Sequence, residues 1–532
     1  MISFSEHFLL HMTANQPIKI QNALISVSDK TGLDELAKQL IAYQINLIST
    51  GGTATYLREH QCEVTDVSTI TGFPEMMDGR VKTLHPLIYA GLLNRPNVDE
   101  DILEEYSITN IDLVIVNLYP FERIVSTDSC NEAMAIENID IGGPSMIRAT
   151  AKNYHTKTIL TDPDDYETLK TELTNNQGCV SFTLRKQLAL KAFGYTASYD
   201  AAIWNYFSEK KNDTLPQTLP IGLTKKTNLR YGENPHQRAA IYQPREAGLN
   251  TLVGSKLYQG KELSYNNLLD ADAAMGCVQS FDEPACVIVK HVNPCGVAMG
   301  NDLHEAYNKS FLTDPESAFG GVIAVNRNVD SELIKNIINN QFLEVLIAPS
   351  FDSDALKALE QKQNIRVIEM DNCEKNTIDY SIKSIDGGFL IQEDDEKTIG
   401  KQDIDIVTLC QPIDEEIKDM LFAWKVVKYV KSNAIVFARY QQTIGIGAGQ
   451  MSRVMSAKIA SLKASSADLK TQNCVMASDG FFPFKDSIEI AADYGINCII
   501  QPGGSIRDDE VIAAADEHNL VMGFTGIRHF RH

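Results

Sequence analysis

Strand-like and helix-like segments alternate regularly over residues 18–120. NALISVSD (22–29) is typical of a buried strand, and LDELAKQLIAY (33–43) of an amphipathic helix. INLISTGGT (45–53) has the pattern of a second strand that runs into a glycine turn, and IDLVIVNLYPF (111–121) that of a further buried strand. This alternation predicts a parallel α/β sheet with helices on both faces, and such folds bind small ligands where their strands end.

The chain is too long for one hydrophobic core, because it has 532 residues. A polar stretch with two prolines, SEKKNDTLPQTLPIGLTKKTN (208–228), predicts a linker. We therefore expect an N-terminal extension at 1–17, a first domain at 18–207 and a second domain at 229–532. The stretch 350–417 is acidic and weakly patterned. The second domain contains further strand-like segments: ACVIVKHV (285–292), GVIAVN (321–326), FLEVLIAP (342–349) and NCIIQPG (497–503).

The net charge is strongly negative, since 48 Lys and Arg residues stand against 70 Asp and Glu residues, giving −22 at pH 7. This charge would repel nucleic-acid phosphates, so we expect no nucleic-acid partner, whereas local basic residues can still hold one small phosphorylated substrate. The ten cysteines never show CxxC spacing, and no apolar run reaches membrane-spanning length. We therefore expect a cytoplasmic protein with reduced thiols and no membrane partner. The start MISFSEHFLLHM lacks the basic opening of a signal peptide, and Met12 is an alternative start.

Several common catalytic motifs are missing from the sequence. The phosphate-binding motif GxxxxGK[ST] does not occur, since the Gly-Lys pairs at 260–261 and 400–401 are followed by Glu and Gln, and HExxH is also absent. NPCGVA (293–298) matches half of a zinc-deaminase signature, but Ala298 stands where the second cysteine would be, and no HxE occurs. We therefore expect no catalytic metal.

Four patches in the first domain combine glycine turns with groups that suit a phosphate: SVSDKTG (26–32), STGGT (49–53), GRVKTLHP (79–86) and IDIGGPSMIRATAKN (139–153). Hydroxyls, backbone N–H groups after glycine and a lysine form a phosphate cradle where a strand meets a helix. In the fourth patch, Gly142-Gly143-Pro144 predicts a sharp turn with proline at the first helical position. Asp140 then precedes the helix and Lys152 lies towards its far end. Spacing alone favours the simpler interpretations, a capping acid for Asp140 and a solvated surface lysine for Lys152.

A second group of motifs lies in the second domain. LRYGENPHQ (229–237) is a loop rich in hydrogen-bond donors, as ligand-binding loops often are. VIVKHVNPCG (287–296) has Lys290 and His291 at the end of an apolar strand, and both can serve one site only if the strand ends there. The remaining motifs are YVKSNAIV (429–436), SDGFFPFKD (478–486) and the terminal GIRHFRH (526–532).

Together these motifs resemble one family, the bifunctional phosphoribosylaminoimidazolecarboxamide (AICAR) formyltransferase/IMP cyclohydrolase, and the bacterial form is especially similar. The resemblance runs from about Gln21 to His532. Its motifs fall in order: SVSDKTG, GRVKTLHP, RYGENPHQ, KHVNPCGVA, SNAIV, GIGAGQMSR, FFPFKD and RHFRH. The departures are the extra N-terminus, Gly480 before the Phe pair and Lys485 where arginine is usual, and they affect fine substrate contacts.

The resemblance implies an α/β protein with an N-terminal cyclohydrolase domain of the methylglyoxal-synthase-like fold. It also implies a C-terminal transformylase region built from two cytidine-deaminase-like units, which fits the half-signature at Pro294-Cys295. The implied activity completes purine biosynthesis: a formyl group passes from 10-formyltetrahydrofolate to AICAR, and the product FAICAR is cyclised to IMP. The implied assembly is a homodimer whose transformylase sites use both subunits, and neither step needs a metal or a redox cofactor.

The resemblance also implies roles for individual residues. In the first domain it assigns cyclisation to Lys82, Tyr119, Asp140 and Lys152, substrate positioning to Arg80 and Thr83, and the phosphate cradle to Ser26, Ser28, Lys30, Ser49 and Thr53. In the second domain it assigns the formyl-transfer centre to Lys290, His291 and Asn433, nucleotide contacts to Arg230, Tyr231, His236, Asn267, Arg528 and His532, and folate contacts to Phe481 and Asp486.

Two other interpretations remain open at this point. A methylglyoxal-synthase-like lyase would rest on the first domain and leave some 300 C-terminal residues unexplained. A nucleotide-sensing regulatory module would use a similar N-terminal fold without catalysis, although the polar residues of both sites are intact. A binding assay with reduced folate distinguishes the bifunctional enzyme from these two, because it alone requires that ligand.

Overall fold

A computed structural model of the chain describes residues 16–127, 129–208, 215–244, 251–370 and 380–532. The described residues form two compact units, which divide between Thr224 and Lys225. Residues 1–15, most of the N-terminal extension expected at 1–17, lie outside the described part. Within the described residues, no helix is both long and apolar enough to cross a membrane.

The first unit is built on a five-stranded parallel sheet with the strand order β4-β3-β2-β5-β6. Its strands are β1 Ile18–Lys19, β2 Asn22–Val27, β3 Asn46–Ser49, β4 Thr65–Asp66, β5 Leu113–Asn117, β6 Thr158–Leu160 and β7 Cys179–Val180. Its helices are α1 Leu33–Ala42, α2 Gly51–Glu59, α3 Val67–Thr71, α4 Pro86–Leu93, α5 Glu100–Glu105, α6 Phe121–Val125, α7 Glu132–Glu137, α8 Gly142–Lys152, α9 Tyr166–Asn175 and α10 Phe182–Ser208. Every residue of β5 is buried, as expected for a central strand covered on both faces.

The glycine turn before α8 differs from the sequence prediction. The helix begins at Gly142, so Pro144 is its third residue and the prediction of proline at the first position is wrong. Proline is tolerated there because the first N–H groups of a helix have no partner within the helix. A Cβ on Gly143 would lie 2.5 Å from Leu118 Cδ2, so glycine lets this helix start close against the end of β5.

The second unit is built on a twelve-stranded sheet with the order β10-β15-β14-β13-β11-β12-β20-β19-β21-β22-β23-β18. Its strands are β8 Thr224–Asn228, β9 Ala240–Gln243, β10 Lys256–Gln259, β11 Ala285–Lys290, β12 Asn293–Met299, β13 Gly321–Val325, β14 Leu343–Ala348, β15 Arg366–Glu369, β16 Tyr380–Ile385, β17 Gly388–Glu393, β18 Asp405–Ile406, β19 Ile435–Arg439, β20 Gln442–Gly447, β21 Val475–Ser478, β22 Cys498–Gln501 and β23 Val521–Phe524. Its helices are α11 Tyr265–Val278, α12 Leu303–Thr313, α13 Pro315–Ala318, α14 Ser331–Asn340, α15 Ser353–Leu359, α16 Asp414–Val427, α17 Arg453–Ser466, α18 Asp486–Asp493 and α19 Asp508–Glu517.

The large sheet consists of two halves with the same arrangement. In the first half, the hairpin β11–β12 is followed by α12, and β13, β14 and β15 continue in parallel towards the antiparallel edge strand β10. In the second half, the hairpin β19–β20 is followed by α17, and β21, β22 and β23 continue in parallel towards the antiparallel edge strand β18. The halves meet where β12 pairs with β20. The two related units that the resemblance implied are therefore confirmed.

Close packing of helix on sheet is also repeated between the halves. A Cβ on Gly296 would lie 1.9 Å from the Ser310 carbonyl oxygen of α12, and one on Gly445 would lie 2.1 Å from the Ala460 carbonyl oxygen of α17. Glycine is therefore required where each hairpin strand lies against its helix.

One hydrophobic core, beneath α11 and α16, runs across both halves, whereas the opposite face of the sheet has a separate core for each half.

The structure refines two predicted segments. Residues 224–228, which we placed in the linker, form β8 and pair with β9, and residues 209–214 of that linker lie outside the described part. In the stretch 350–417, α15 and β15 complete the first half of the large sheet, and β16 and β17 form a separate hairpin that lies between the two halves in the sequence. The domain boundaries themselves stay a prediction.

Candidate functional sites

In the first unit, the structure brings the first two phosphate-type patches together. The Thr53 hydroxyl donates to the Val27 carbonyl oxygen and accepts from the Val27 N–H, both at 3.1 Å. Ser49 is fully buried, and its hydroxyl donates to the Ile25 carbonyl oxygen at 2.7 Å. Both side chains thus brace β2. Ser26, Ser28 and Lys30 are half-buried beside them, and the Lys30 Nζ donates to the Ser28 carbonyl oxygen at 3.4 Å.

Asn117, at the end of β5, is a residue of this site that the sequence analysis did not select. Its Oδ1 accepts from the N–H groups of Ser28 and Asp29, at 2.6 and 2.8 Å, and its Nδ2 donates to the Asp29 carbonyl oxygen. The amide is buried and holds the SVSDKTG loop against the neighbouring strand end. An asparagine that ends an apolar strand was the available signal.

The third and fourth patches adjoin the same strand ends. A Cβ on Gly51 would lie 3.5 Å from the Lys82 Nζ, which places this ammonium group beside the first turn of α2. A Cβ on Gly142 would lie 3.1 Å from the Thr83 hydroxyl, which places that buried hydroxyl beside the first turn of α8. The four patches therefore form one continuous surface with two helix N-termini, an arrangement that suits an anion.

Asp140 lies between these groups. Its Oδ1 accepts from the Gly143 N–H at 2.8 Å, and its own N–H donates to the Tyr199 hydroxyl at 2.8 Å. Burial raises the pKa of the Asp140 carboxyl, while the Gly143 N–H, the charge of Lys82 and the backbone of Tyr119 act against that rise. The structure thus places Lys82 and the backbone of Tyr119 close to Asp140, and it also supports the simpler interpretation of Asp140 as a helix-capping acid.

The structure does not bring Lys152 to this cluster. Lys152 is the exposed last residue of α8, and the ten helical residues before it place it about 15 Å along the helix from the Asp140 end. It lines a different cavity of about 340 Å³ with Leu93, Arg148, Ala149 and Phe193. Arg80, also exposed, forms an ion pair with Glu137.

In the second unit, Lys290 and His291 line one cavity of about 250 Å³. Strand β11 ends at Lys290 and His291 begins the turn to β12, so the expectation that the strand ends there is confirmed. The Lys290 Nζ donates to the Phe319 carbonyl oxygen at 2.7 Å. Both halves of the large sheet contribute to the cavity, whose wall includes Asn293, Asp314, Ser317, Ile446, Gln450 and Lys463.

Asn433 is tied to this cavity through Gln450. The Asn433 Nδ2 donates to the Gln450 carbonyl oxygen at 2.8 Å, and the Lys431 N–H donates to Asn293 Oδ1 at 2.9 Å. The second bond holds the segment before the SNAIV motif against the Lys290–His291 hairpin of the other half, and the first ties Asn433 to the cavity wall. The structure therefore brings the three residues predicted for formyl transfer into one region.

The C-terminal tail passes beside the same motif. The Ser432 N–H donates to the Arg531 carbonyl oxygen at 2.9 Å, and the Ser432 hydroxyl hydrogen-bonds to the buried Asp479. A Cβ on Gly480 would lie 2.6 Å from the Phe530 ring, so the segment that carries Phe481 runs alongside the tail. The predicted residues Arg528 and His532 flank the same ring, Arg528 with its guanidinium 4.5 Å from the ring centroid and His532 with a ring-to-ring distance of 6.0 Å.

Other predicted residues are not brought to the cavity. Arg230, Tyr231 and His236 lie on a largely exposed loop, and no hydrogen bond between described residues joins that loop to the cavity wall. Asn267 is buried and completes a capping box with Ser264 at the start of α11. Asp486 is the exposed first residue of α18 and accepts from the Ser487 N–H.

The cavity wall also contains an ion pair that the sequence analysis did not select. The Lys463 Nζ donates to Asp314 Oδ2 and, at 3.3 Å, to the Ser317 hydroxyl. Burial acts to raise the pKa of the Asp314 carboxyl, but the hydrogen bonds from Lys463 and Ser317 hold it below its ordinary value. No local pattern marks either residue, because the pair joins α17 of one half to the start of α13 in the other.

Among the described residues, no group of three or more His, Cys, Asp or Glu side chains is arranged to hold a metal ion. The nine cysteines found there are free. Burial raises the pKa of the Cys295 thiol at the cavity wall to about 12, so this thiol is protonated at neutral pH.

Comparison with known proteins matches both units. An MGS-like domain matches residues 32–145, and the family described as the AICARFT/IMPCHase bienzyme matches residues 150–463, which is more than half of the chain. A solved chain described as the crystal structure of ForH is 34% identical over 35% of this chain and 99% of its own length, with a TM-score of 0.33. The chain therefore belongs to the AICARFT/IMPCHase bienzyme family and is a bifunctional formyltransferase and cyclohydrolase of purine biosynthesis.

Proposed function

We propose that the formyl donor is 10-formyltetrahydrofolate and that formyl transfer to AICAR takes place at the cavity lined by Lys290 and His291. The observation that carries this proposal is the convergence of Lys290, His291 and, through Gln450, Asn433 on one cavity. The family itself implies a folate-type co-substrate. Direct evidence for this donor would be equal formation of tetrahydrofolate and formylated nucleotide, both dependent on AICAR.

The chemistry explains why these residue types are needed. The AICAR amine is a poor nucleophile, because its lone pair is delocalised into an imidazole that bears a carboxamide. Its attack on the formyl carbon needs positioning, removal of a proton and stabilisation of the tetrahedral oxyanion. In our proposal His291 takes the amine proton, Lys290 stabilises the oxyanion or protonates the leaving folate nitrogen, and Asn433 contacts the formyl group.

We propose that cyclisation takes place at the Asp140 cluster of the first unit. The carboxamide nitrogen attacks the new formyl carbon, a proton leaves the nitrogen and water departs, so one base and one acid suffice. Asp140, Lys82 and Tyr119 supply these groups, with Lys152 as a further candidate, and Arg80 and Thr83 orient the substrate. The substrate phosphate binds at the surface formed by the patches that contain Ser26, Ser28, Lys30, Ser49 and Thr53, beside the N-terminus of α2.

We also propose that the enzyme is a cytoplasmic homodimer in which two copies complete each formyl-transfer site. The support is the exposed loop that carries Arg230, Tyr231 and His236, which has no described hydrogen bond to the cavity of its own chain. In this proposal the loop of one copy reaches the nucleotide bound at the cavity of the other copy. Asn267, Arg528 and His532 also contact the nucleotide, and Phe481 and Asp486 contact the folate. Neither reaction requires a metal or a redox cofactor, because each is an addition followed by elimination.

A complementation assay tests the shared site. Arg230→Ala and His291→Ala each inactivate formyl transfer when present in every copy. The two variants are then mixed and allowed to exchange subunits. If copies pair at random, half of the dimers contain one copy of each variant, and a shared site leaves one of the two sites in each such dimer with both native residues. About a quarter of all sites should therefore regain activity. No recovery despite demonstrated exchange, by mass-tagged heterodimers, would contradict shared sites.

A further inference from the structure

The turn that carries His291 has an unfavourable backbone conformation. His291 has φ +55° and Val292 has φ +63°, so both central residues of this two-residue hairpin are in the left-handed region. Such turns normally use Gly, which has no Cβ, or Asn, which adopts this region more often than other residues, whereas a β-branched residue is strongly disfavoured there. The sequence thus needs another interaction to hold His291 in place.

Asp270 supplies that interaction from α11. Its Oδ1 accepts from the Val292 N–H at 2.6 Å, and the carboxylate also hydrogen-bonds to the His291 N–H. The carboxylate is half-buried, and burial raises its pKa while the two turn N–H groups act against the rise. Charge-assisted hydrogen bonds of this kind are stronger than neutral ones, so the carboxylate fixes the turn that carries His291.

The second half of the sheet repeats the same device. Tyr440 and Gln441, the central residues of the β19–β20 turn, have φ +53° and +56°, and their N–H groups donate to Asp419 at 2.8 and 2.7 Å. Asp270 and Asp419 are each the sixth residue of the helix before their hairpin. Burial raises the pKa of Asp419 as well, and Asp419 is the more buried of the two.

The two turns differ in the side chains that they present. Lys290 and His291 line the cavity between the halves, whereas Tyr440 is 71% exposed and is not part of the cavity wall. Arg439, the counterpart of Lys290, donates instead to the Gln472 carbonyl oxygen. The same backbone support therefore serves a reaction centre in one half and a surface turn in the other.

We propose that Asp270 is a positioning residue for formyl transfer: by binding the N–H groups of the His291–Val292 turn, it holds the His291 imidazole and the adjacent Lys290 at the reaction centre. This inference rests on the proposed role of the Lys290–His291 cavity. Asp270 acts through the turn, so its loss should lower kcat and leave nucleotide binding largely intact. Asp419 provides a matched control within the same chain, because it has the same geometry without an adjacent reaction centre.

The test compares Asp270→Asn with Asp419→Asn in the full-length enzyme. In each variant the amide keeps one acceptor oxygen and puts an NH₂ group where the second oxygen was, so both turns lose similar support. Formyl-transfer kcat and KM are measured at matched folded fraction, with cyclisation of supplied FAICAR as the reference activity. For Asp270→Asn we expect kcat to fall about 10- to 100-fold, since small misplacements of reacting groups have effects of that order. Its KM for AICAR should change less than about twofold, and Asp419→Asn should keep kcat within about twofold.

Each other outcome has a defined meaning. If Asp270→Asn keeps its kcat, or if Asp419→Asn loses as much, the positioning role is wrong. If Asp270→Asn does not fold, Asp270→Glu, which retains both carboxylate oxygens, replaces it and should show a smaller fall in kcat than Asp270→Ala. Failure of the underlying proposal is distinguishable, because it would appear as a folded His291→Ala variant with normal formyl transfer.

Discussion

The two proposed reaction centres hold their acid–base groups in different ways. His291 is exposed at the tip of a hairpin and depends on a backbone turn for its position. Asp140 is half-buried, and a main-chain N–H group at the start of α8 fixes its carboxylate. Removal of the exposed imidazole should therefore affect chemistry with little effect on stability, whereas removal of the buried charge should affect both.

His291→Ala should cripple formyl transfer and leave cyclisation intact. The amine cannot attack efficiently without proton removal, and general acid–base assistance is worth roughly 100- to 10,000-fold, so the loss should fall in or beyond that range. Rates are measured with both substrates saturating and at matched folded fraction, checked by thermal melting. Tyr440→Ala, at the equivalent turn position, is the matched control and should keep both activities. Near-native formylation by folded His291→Ala would leave Lys290 as the leading candidate.

Asp140→Asn should stabilise the first unit at neutral pH while it slows cyclisation about 100- to 10,000-fold. Burial raises the folded-state pKa of Asp140 above its ordinary value of 3.8, so the folded chain binds more protons than the unfolded chain in that window. Stability therefore falls as pH rises through the window, and the ionised carboxylate destabilises the fold above it. The amide removes that charge and keeps an acceptor for the Gly143 N–H. Melting curves should show a higher Tm for the variant at pH 7 and a difference that shrinks towards pH 3.8; an unchanged or lower Tm at pH 7 would be inconsistent with this account.

At the scale of single elements, the sequence predicted strands and helices well where hydrophobic periodicity was strong. The parallel strands of the first unit and the end of β11 at Lys290 followed from apolar runs that end in polar residues. The position of Pro144 within α8 did not, because proline is acceptable anywhere in a first turn and the helix start was set by the packing of Gly143 against Leu118. The predicted linker also contained β8, a polar and fully exposed strand without an apolar pattern.

Lys152 is a predicted catalytic residue that lies outside the Asp140 cluster, at the far end of α8, so its substitution tests the predicted role directly. If the lysine acts in cyclisation, Lys152→Ala should abolish that step while formyl transfer persists, so FAICAR should accumulate. Lys186→Ala, an exposed lysine on α10, is the control and should produce IMP normally. Normal IMP output from Lys152→Ala, measured by mass spectrometry, would make Lys152 an ordinary surface lysine, as its exposed position at the far end of α8 would allow.

The division of the chain at Thr224 predicts that the activities separate physically. A fragment that ends at Thr224 contains the complete Asp140 cluster and the five-stranded sheet, so it should cyclise supplied FAICAR and make none from AICAR. Circular dichroism and melting establish that the fragment is folded before rates are compared. A well-folded but inert fragment would show that the boundary, or the assignment of cyclisation to the first unit, is wrong.

For the whole molecule, the sequence predicted which motifs follow one another along the chain better than it predicted which residues contact each other in the fold. The ordered motifs were sufficient to identify the family and both activities, which the family match confirms. Long-range partners such as Asn117 with the SVSDKTG loop, or Lys463 with Asp314, could not be predicted, because they join segments 88 or more positions apart. The paired roles of Asp270 and Asp419 likewise emerge from the repeated halves of the sheet.

One chain carries out both reactions, formyl transfer and cyclisation, in sequence. The most direct measurement incubates the purified protein with AICAR and 10-formyltetrahydrofolate and follows nucleotides by mass spectrometry and folate by absorbance. Tetrahydrofolate and IMP should form in equal amounts, without lasting accumulation of FAICAR. Absence of both tetrahydrofolate and IMP, with folate shown to be active by a control enzyme, would contradict this conclusion.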